Sequence, residues 1–180
     1  MPLRRLLSKY LTPTAEFASV TDITLEFLRE QGVRGLILDL DDTLVDYGRD
    51  TFSTKVRAWL ESIQKDFKVC VVSNTSRQHR AQAIIEGLGI PAYARARKPR
   101  RQVLRQALVT MELNENEVMV VGDRLLTDIL GGTRLGARTA LIAPVSDQRR
   151  MLRLLRRLER GLLSWVAQRA HSPVSKESGS

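Results

Sequence analysis

The sequence predicts an α/β protein in which a parallel sheet is covered by helices on both faces. Three observations predict it. Short apolar runs, at Gly35 to Leu40 (GLILDL), Val69 to Val72 (VCVV) and Glu117 to Val121, read as buried strands. Longer segments with apolar residues at helical spacing lie between them, so strand and helix alternate along the chain. Polar residues gather where the strands end, at Asp39 to Asp41, Ser73-Asn74 and Asp123. Open α/β sheets place their sites at that edge.

In chain order, Val20 to Gln31 reads as an amphipathic helix, with Thr21 or Asp22 placed to cap it and Gly32 placed to end it. Strand Gly35 to Leu40 follows. Phe52 to Phe67 carries Val56, Trp59, Leu60 and Ile63 at helical spacing. Strand Val69 to Val72 leads through Ser73-Asn74-Thr75 to a helix over about Arg77 to Leu88. A short strand is expected over Ile90 to Ala94. Pro99 is expected to open the next helix, whose inner face is Val103, Leu104, Ala107, Leu108 and Met111. Strand Glu117 to Val121 runs into Gly122-Asp123, Thr127 to Leu135 reads as a helix stopped by Gly136, and Arg138 to Ile142 is the last strand.

Beyond Pro144 the composition changes. Asp147 to Ala170 is arginine-rich, with Met151, Leu155, Leu158, Leu162 and Trp165 at helical spacing, and His171 to Ser180 is polar and expected to be disordered. The expected organisation is one domain over residues 1–145, a basic amphipathic helix over 146–170 and a tail over 171–180.

At 180 residues, 43% of them hydrophobic and 27% charged, the chain is long enough to bury a core without staples. A single cysteine, Cys70, excludes an internal disulfide and zinc ribbons, and His79 and His171 alone exclude a multi-histidine metal site. The net charge of +9 favours anionic partners: nucleic acid, acidic lipid or a phosphorylated substrate. No stretch is long and apolar enough to span a bilayer. The first ten residues lack the apolar core and cleavage site of a secretory signal. A cytoplasmic protein is expected, with any membrane contact peripheral.

The chemistry concentrates in four places. Asp39 ends an apolar strand, where an ionised carboxylate is costly unless it meets a cation. Asp41 lies two residues on, and hard oxygen ligands of this kind suit Mg²⁺. An Asp beside Mg²⁺ can attack phosphorus, while a second Asp protonates the leaving alkoxide and later deprotonates water. The plainer alternative is a cluster of loop or capping acids. Ser73-Asn74 offers a hydroxyl and backbone N–H groups to a phosphate, although it is also ordinary turn chemistry. Lys98 can hold a transferring phosphoryl group, or be merely solvated. Asp123 can complete a metal site, with Asp128 anchoring it or simply favouring a helix start.

In that order and setting, these residues resemble the haloacid dehalogenase-like (HAD) phosphohydrolase superfamily. The resemblance covers about Gly35 to Ile142: DLDDTL for the first motif, VVSN for the second, Lys98-Pro99 for the third and GDRLLTD for the fourth. A narrower one, over roughly residues 1–145, rests on VTDITLEFLREQGVRGLILDLDDTLV, KPRRQVL and VGDRLLTDI. These runs are similar to the YqeG family of HAD type IIIA phosphatases, related to the mitochondrial phosphatidylglycerophosphate phosphatases. The resemblance implies a HAD-like Rossmannoid three-layer fold. It implies Asp39 as nucleophile and Asp41 as general acid/base, with a Mg²⁺ site of Asp39, Asp41, Asp123 and Asp128. Ser73 and Lys98 would bind the phosphoryl group, with Thr43 and Asn74 beside it. Asp42 departs from the relatives, which often carry Asn there.

Neither the interval from Thr43 to Ser73 nor that from Ser73 to Lys98 can hold a folded cap domain, so an open site is expected. An open site suits a phosphate on something large. Arg95, Arg97, Arg100, Arg101 and Arg105 surround Lys98 and should rim it. The helix from Asp147 has the composition of an interfacial membrane helix or of one that docks on the domain. The expected activity is removal of the terminal phosphate from an anionic phospholipid, with phosphatidylglycerophosphate as the best single candidate. The alternatives are a phosphatase acting on a protein or nucleic acid, and a non-catalytic RNA- or ribosome-binding protein. Only 5% of the residues are aromatic, and no stable nucleic-acid partner is expected.

Overall fold

The computed structural model describes residues 8–45, 50–76, 79, 82–83, 86 and 88–144. Its strands are β1 (Ala15–Phe17), β2 (Gly35–Leu38), β3 (Lys68–Val72), β4 (Ala92–Tyr93), β5 (Val118–Gly122) and β6 (Arg138–Ile142). Among the described residues they form one six-stranded parallel sheet of order β1-β6-β5-β2-β3-β4. The α-helices described over their whole length are α1 (Leu25–Glu30), α2 (Thr54–Ile63), α3 (Gln102–Met111) and α4 (Leu130–Leu135).

Strand side chains alternate between faces, and here both faces are apolar. Leu36 and Leu38 of β2, Val69 and Val71 of β3, and Met119 and Val121 of β5 join one core with Leu28 of α1 and Val56, Leu60 and Ile63 of α2. Ile37, Cys70, Val72, Val118 and Val120 point the other way, onto Leu104, Ala107, Leu108 and Met111 of α3 and Leu135 of α4. This accounts for the apolar runs and gives the three-layer α/β fold that the sequence predicts. Cys70 is fully buried within β3, and burial pushes its thiol up to about 12, which leaves it inert.

Several elements differ from expectation. The predicted helix over Val20 to Gln31 is two pieces, a 3₁₀ turn Val20–Asp22 and α1. Ser19 caps the first and Thr24 the second, each side chain accepting from a backbone N–H, where Thr21 or Asp22 was the expected cap. The chain breaks between them because Ile23 is extended and buried. Pro99 stands before α3 rather than opening it: the helix begins at Gln102, and the Lys98-Pro99 peptide is cis. The predicted helix over Thr127 to Leu135 is a π turn, Leu125–Ile129, running into α4. Strand β1, unexpected from the sequence, pairs with β6 at the sheet edge. The helix expected over Arg77 to Leu88 lies largely outside the described residues, as do the segment 146–170 and the tail 171–180.

Helix α4 packs closely because of its glycines. A Cβ at Gly132 would lie 2.6 Å from Thr139 Cγ2 and 2.9 Å from Val120 Cβ, below normal contact. Gly132→Ala should therefore lower stability by about 1–3 kcal/mol despite alanine's better helix propensity, read as a fall in the urea midpoint. An unchanged midpoint would show that α4 can shift away from β5 and β6.

Candidate active site

Strand β2 is the point where the chain reverses direction across the sheet. After it the chain builds β3 and β4 on one side, then crosses back to build β5 and β6 on the other. The crevice beyond the carboxyl end of such a strand is where open α/β sheets hold ligands. Asp39 is the first residue past β2, Ser73 the first past β3, and Asp123 the first past β5. The Asp39 N–H donates to the Val121 carbonyl at 2.9 Å, carrying the sheet ladder one residue further and fixing the carboxylate at the rim.

Asp39, Asp123 and Asp128 are all buried, and each offers a carboxylate oxygen within 4.8 Å of the others. Lys98, from the loop between β4 and α3, enters this cluster. Its Nζ lies 2.6 Å from Asp39 Oδ1 and 2.6 Å from Asp128 Oδ1, and donates to the Val72 carbonyl at 2.7 Å. The lysine is placed by Asn74, whose amide pairs with the Lys98 backbone: Oδ1 accepts from Lys98 N at 2.7 Å and Nδ2 donates to Lys98 O at 3.2 Å. Both polar atoms of the Asn74 side chain are thus turned to the Lys98 backbone. Ser73 is buried, and its Oγ accepts from Thr75 N at 3.1 Å.

Asp128 reaches the cluster from the π turn. The widened turn pairs Ile129 N with Arg124 O, while Asp128 Oδ2 accepts from Arg124 N at 3.1 Å. π turns recur at functional sites because the extra residue re-aims a side chain. Gly122 makes room for it: a Cβ there would overlap the Asp128 carboxylate. The glycine directly before the strand-end acid was visible in the sequence, but its role needs this contact.

Asp41, Asp42 and Thr43 lie on the tight loop after Asp39, closed by Leu44 N and Val45 N donating to Leu40 O. Asp42 is buried with φ 63, a left-handed conformation that Asn and Asp tolerate better than other side chains. The departure at Asp42 thus falls where the backbone suits Asp and Asn alike. Asp41 is half-buried, and Thr43 is fully buried with a hydroxyl that makes no hydrogen bond among the described residues. Asp46 and Tyr47, just beyond this loop, lie outside the described residues. His79 is exposed, as a surface histidine would be.

The charge balance shows what the cluster can hold. Three buried carboxylates and one buried ammonium leave a formal excess of two negative charges. Burial pushes the Asp39 carboxyl up to about 7, helped by Asp128 and Asp41 and opposed by Lys98. Burial alone would lower the Lys98 ammonium, but Asp128 and Asp39 outweigh it and hold it above its ordinary range. An all-oxygen donor set with two excess negative charges fits one divalent hard cation such as Mg²⁺.

A family model for mitochondrial PGP phosphatases matches residues 4–146. The chain belongs to that family. It is 37% identical over 168 residues to a Bacillus subtilis (strain 168) protein named probable phosphatase YqeG, covering 92% of this chain and 97% of that one. It is 27% identical over 177 residues to phosphatidylglycerophosphate phosphatase 1 of Arabidopsis thaliana, a chloroplastic/mitochondrial protein, covering 92% of this chain and 51% of that one. The fold is similar to a HAD family enzyme from Bacteroides thetaiotaomicron solved as a magnesium complex, with TM-score 0.54, 13% identity and coverage of 68% and 99%. This PGP phosphatase family member is thus a HAD-type phosphatase by family and fold, with no cap domain among the described residues.

Two measurements follow from the buried charges. Lys98→Met leaves Asp39 and Asp128 facing each other without their cation and should cost about 3–5 kcal/mol of stability in metal-free protein. A loss below about 1 kcal/mol would show that the lysine is not their main counter-charge. In metal-free protein, folded Asp39 holds its proton more tightly than the unfolded chain does. Its contribution therefore favours folding at low pH and is lost as pH rises from about 3.8 to about 7. The stability of Asp39→Asn minus that of wild type, measured in chelator, should grow across this window. A difference independent of pH would contradict the burial argument.

Proposed function

We propose that the protein is a Mg²⁺-dependent phosphomonoesterase that acts through an aspartyl-phosphate and removes the terminal phosphate of phosphatidylglycerophosphate. The observation that carries the chemistry is the buried cluster of Asp39, Asp123 and Asp128 around Lys98 at the switch point of the sheet.

In this reading the residues take the roles that the resemblance implies, which their placement at the strand ends supports. Asp39 is the nucleophile: a carboxylate oxygen attacks phosphorus and the bond to the substrate oxygen breaks. Asp41 gives its proton to that leaving oxygen, then takes one from the water that hydrolyses the aspartyl-phosphate. Lys98 keeps the Asp39 carboxylate paired and, with Ser73, faces the phosphoryl oxygens. The unsatisfied hydroxyl of Thr43 and the loop at Asn74 adjoin them. Asp39, Asp123 and Asp128, with Asp41, would hold Mg²⁺, which supplies positive charge for the phosphoryl oxygens when bound.

The lipid substrate rests on the family's name, on the Arabidopsis relative, on the lack of a cap domain among the described residues and on exposed Arg95, Arg97 and Arg100 in the loop that carries Lys98. Membrane contact in this reading is peripheral, since no helix among the described residues is long and apolar enough to cross a bilayer.

Phosphate release from phosphatidylglycerophosphate in mixed micelles should require Mg²⁺ and fall at least a thousandfold in Asp39→Asn. Mg²⁺-dependent cleavage of small phosphomonoesters but not of the lipid would retain the mechanism and overturn the substrate. Gly122→Ala, which drives Asp128 off the cluster, should weaken Mg²⁺ activation about 10–100-fold. An unchanged Mg²⁺ dependence would remove Asp128 from the metal site.

A further inference from the structure

Arg95 and Arg97 lead into Lys98, and both have left-handed backbones, φ 53 and φ 54. Neither is a glycine, an asparagine or an aspartate, the residues that tolerate this region, so the conformation is strained at both. The strain brings a definite alternation. Ala96 is buried in the core with Cys70 and Val72, and Lys98 is buried in the charge cluster, while Arg95 and Arg97 are exposed.

This loop is laced to the one after β3. Arg95 N donates to Thr75 O at 2.9 Å, Ala96 N to Ser73 O at 3.1 Å and Lys98 N to Asn74 Oδ1 at 2.7 Å. Arg95 Nε also donates to Ser76 O at 3.2 Å, which anchors its guanidinium beside the Ser73 loop. The terminal nitrogens of Arg95 and the guanidinium of Arg97 have no partner among the described residues. Some exposed cations elsewhere pair, Arg29 with Asp66, Arg34 with Glu117 and Lys68 with Glu112, but what sets Arg95 and Arg97 apart is their place in the loop that carries Lys98. Two guanidinium groups without an ion pair among the described residues, in the loop that carries the buried Lys98 and on backbone held left-handed, are suited to a second anion.

We propose that Arg95 and Arg97 form a second anion subsite at the mouth of the active site, taking an internal phosphodiester of a substrate whose terminal phosphomonoester sits at Lys98. The subsite rests on the phosphomonoesterase reading above and deepens it by naming the residues that would recognise the second phosphate of that substrate, the phosphodiester joined through a short linker to the phosphomonoester. Three residues of chain from Arg95 to Lys98 span at most roughly 10 Å, within reach of a phosphate one glycerol unit away.

The test compares soluble substrates, so that attraction to an anionic surface plays no part. One is glycerophosphoglycerol phosphate, which carries both phosphates, and the other is glycerol 3-phosphate, which carries one. The variant is Arg95→Asn with Arg97→Asn, since asparagine accepts the left-handed backbone and should keep the fold. The ratio of kcat/KM for the first substrate over the second should fall at least tenfold in the variant. An unchanged ratio, whether or not both activities fall, overturns the subsite. Loss of activity on lipid micelles with the soluble ratio intact also overturns it, in favour of general attraction to the anionic surface. If the wild type hydrolyses neither compound with Mg²⁺, the phosphomonoesterase reading fails separately. The subsite is then judged by calorimetric binding of glycerophosphoglycerol phosphate to Asp39→Asn protein with and without the arginine changes. Tenfold weaker binding without the arginines supports it, and equal binding overturns it.

Discussion

An ammonium shared by two buried carboxylates organises the molecule around the carboxyl edge of its sheet. Lys98 Nζ sits 2.6 Å from an oxygen of Asp39 and of Asp128, with Asp123 in the same cluster. Burying this much charge is unfavourable unless each group has a partner. The partners come from distant parts of the chain: the end of β2, the end of β5, the π turn and the loop before α3. Bringing them together depends on the order of the parallel sheet, and the residual negative charge suits the cluster to a cation. Folding and function meet here, because the groups that are costliest to bury are those proposed to carry the reaction.

The surrounding packing serves this cluster. Apolar β2, β3 and β5 carry side chains into cores on both faces, which leaves the strand ends as the place where polar groups emerge. Gly122 lets Asp128 lie against the end of β5, and Gly132 lets α4 sit close to β5 and β6. The loops after β3 and β4 are joined by Asn74 and by backbone hydrogen bonds, so Lys98 is held at its backbone as well as at its ammonium. Among the described residues no cap domain is present, and the loop that brings Lys98 to the cluster also carries exposed Arg95, Arg97 and Arg100.

Much of this was legible in the residues. The central strands showed themselves as apolar runs, and Asp39, Ser73 and Asp123 were marked by following those runs directly. β1 did not, because Ala15-Glu16-Phe17 is a three-residue edge strand whose central glutamate is exposed. The break in the first helix depends on buried Ile23, an apolar residue that fits a helical pattern equally well. The π turn keeps the apolar spacing of an α-helix, so its extra residue and the inward turn of Asp128 are invisible until the strands are placed. The left-handed backbones of Arg95 and Arg97 carry no sequence mark, since no glycine signals them. The Asn74–Lys98 pairing links residues far apart in the chain and depends wholly on β3 and β4 lying side by side.

The central claim is that the buried acids and Lys98 form an incomplete charge cluster that one divalent cation completes. Calorimetric titration of Mg²⁺ into wild type and Asp123→Asn tests it most directly. One Mg²⁺ should bind per wild-type chain, and that binding should weaken at least tenfold in the variant while its fold, checked by circular dichroism, persists. Equal Mg²⁺ binding by both proteins, or none by a folded wild type, would contradict the account.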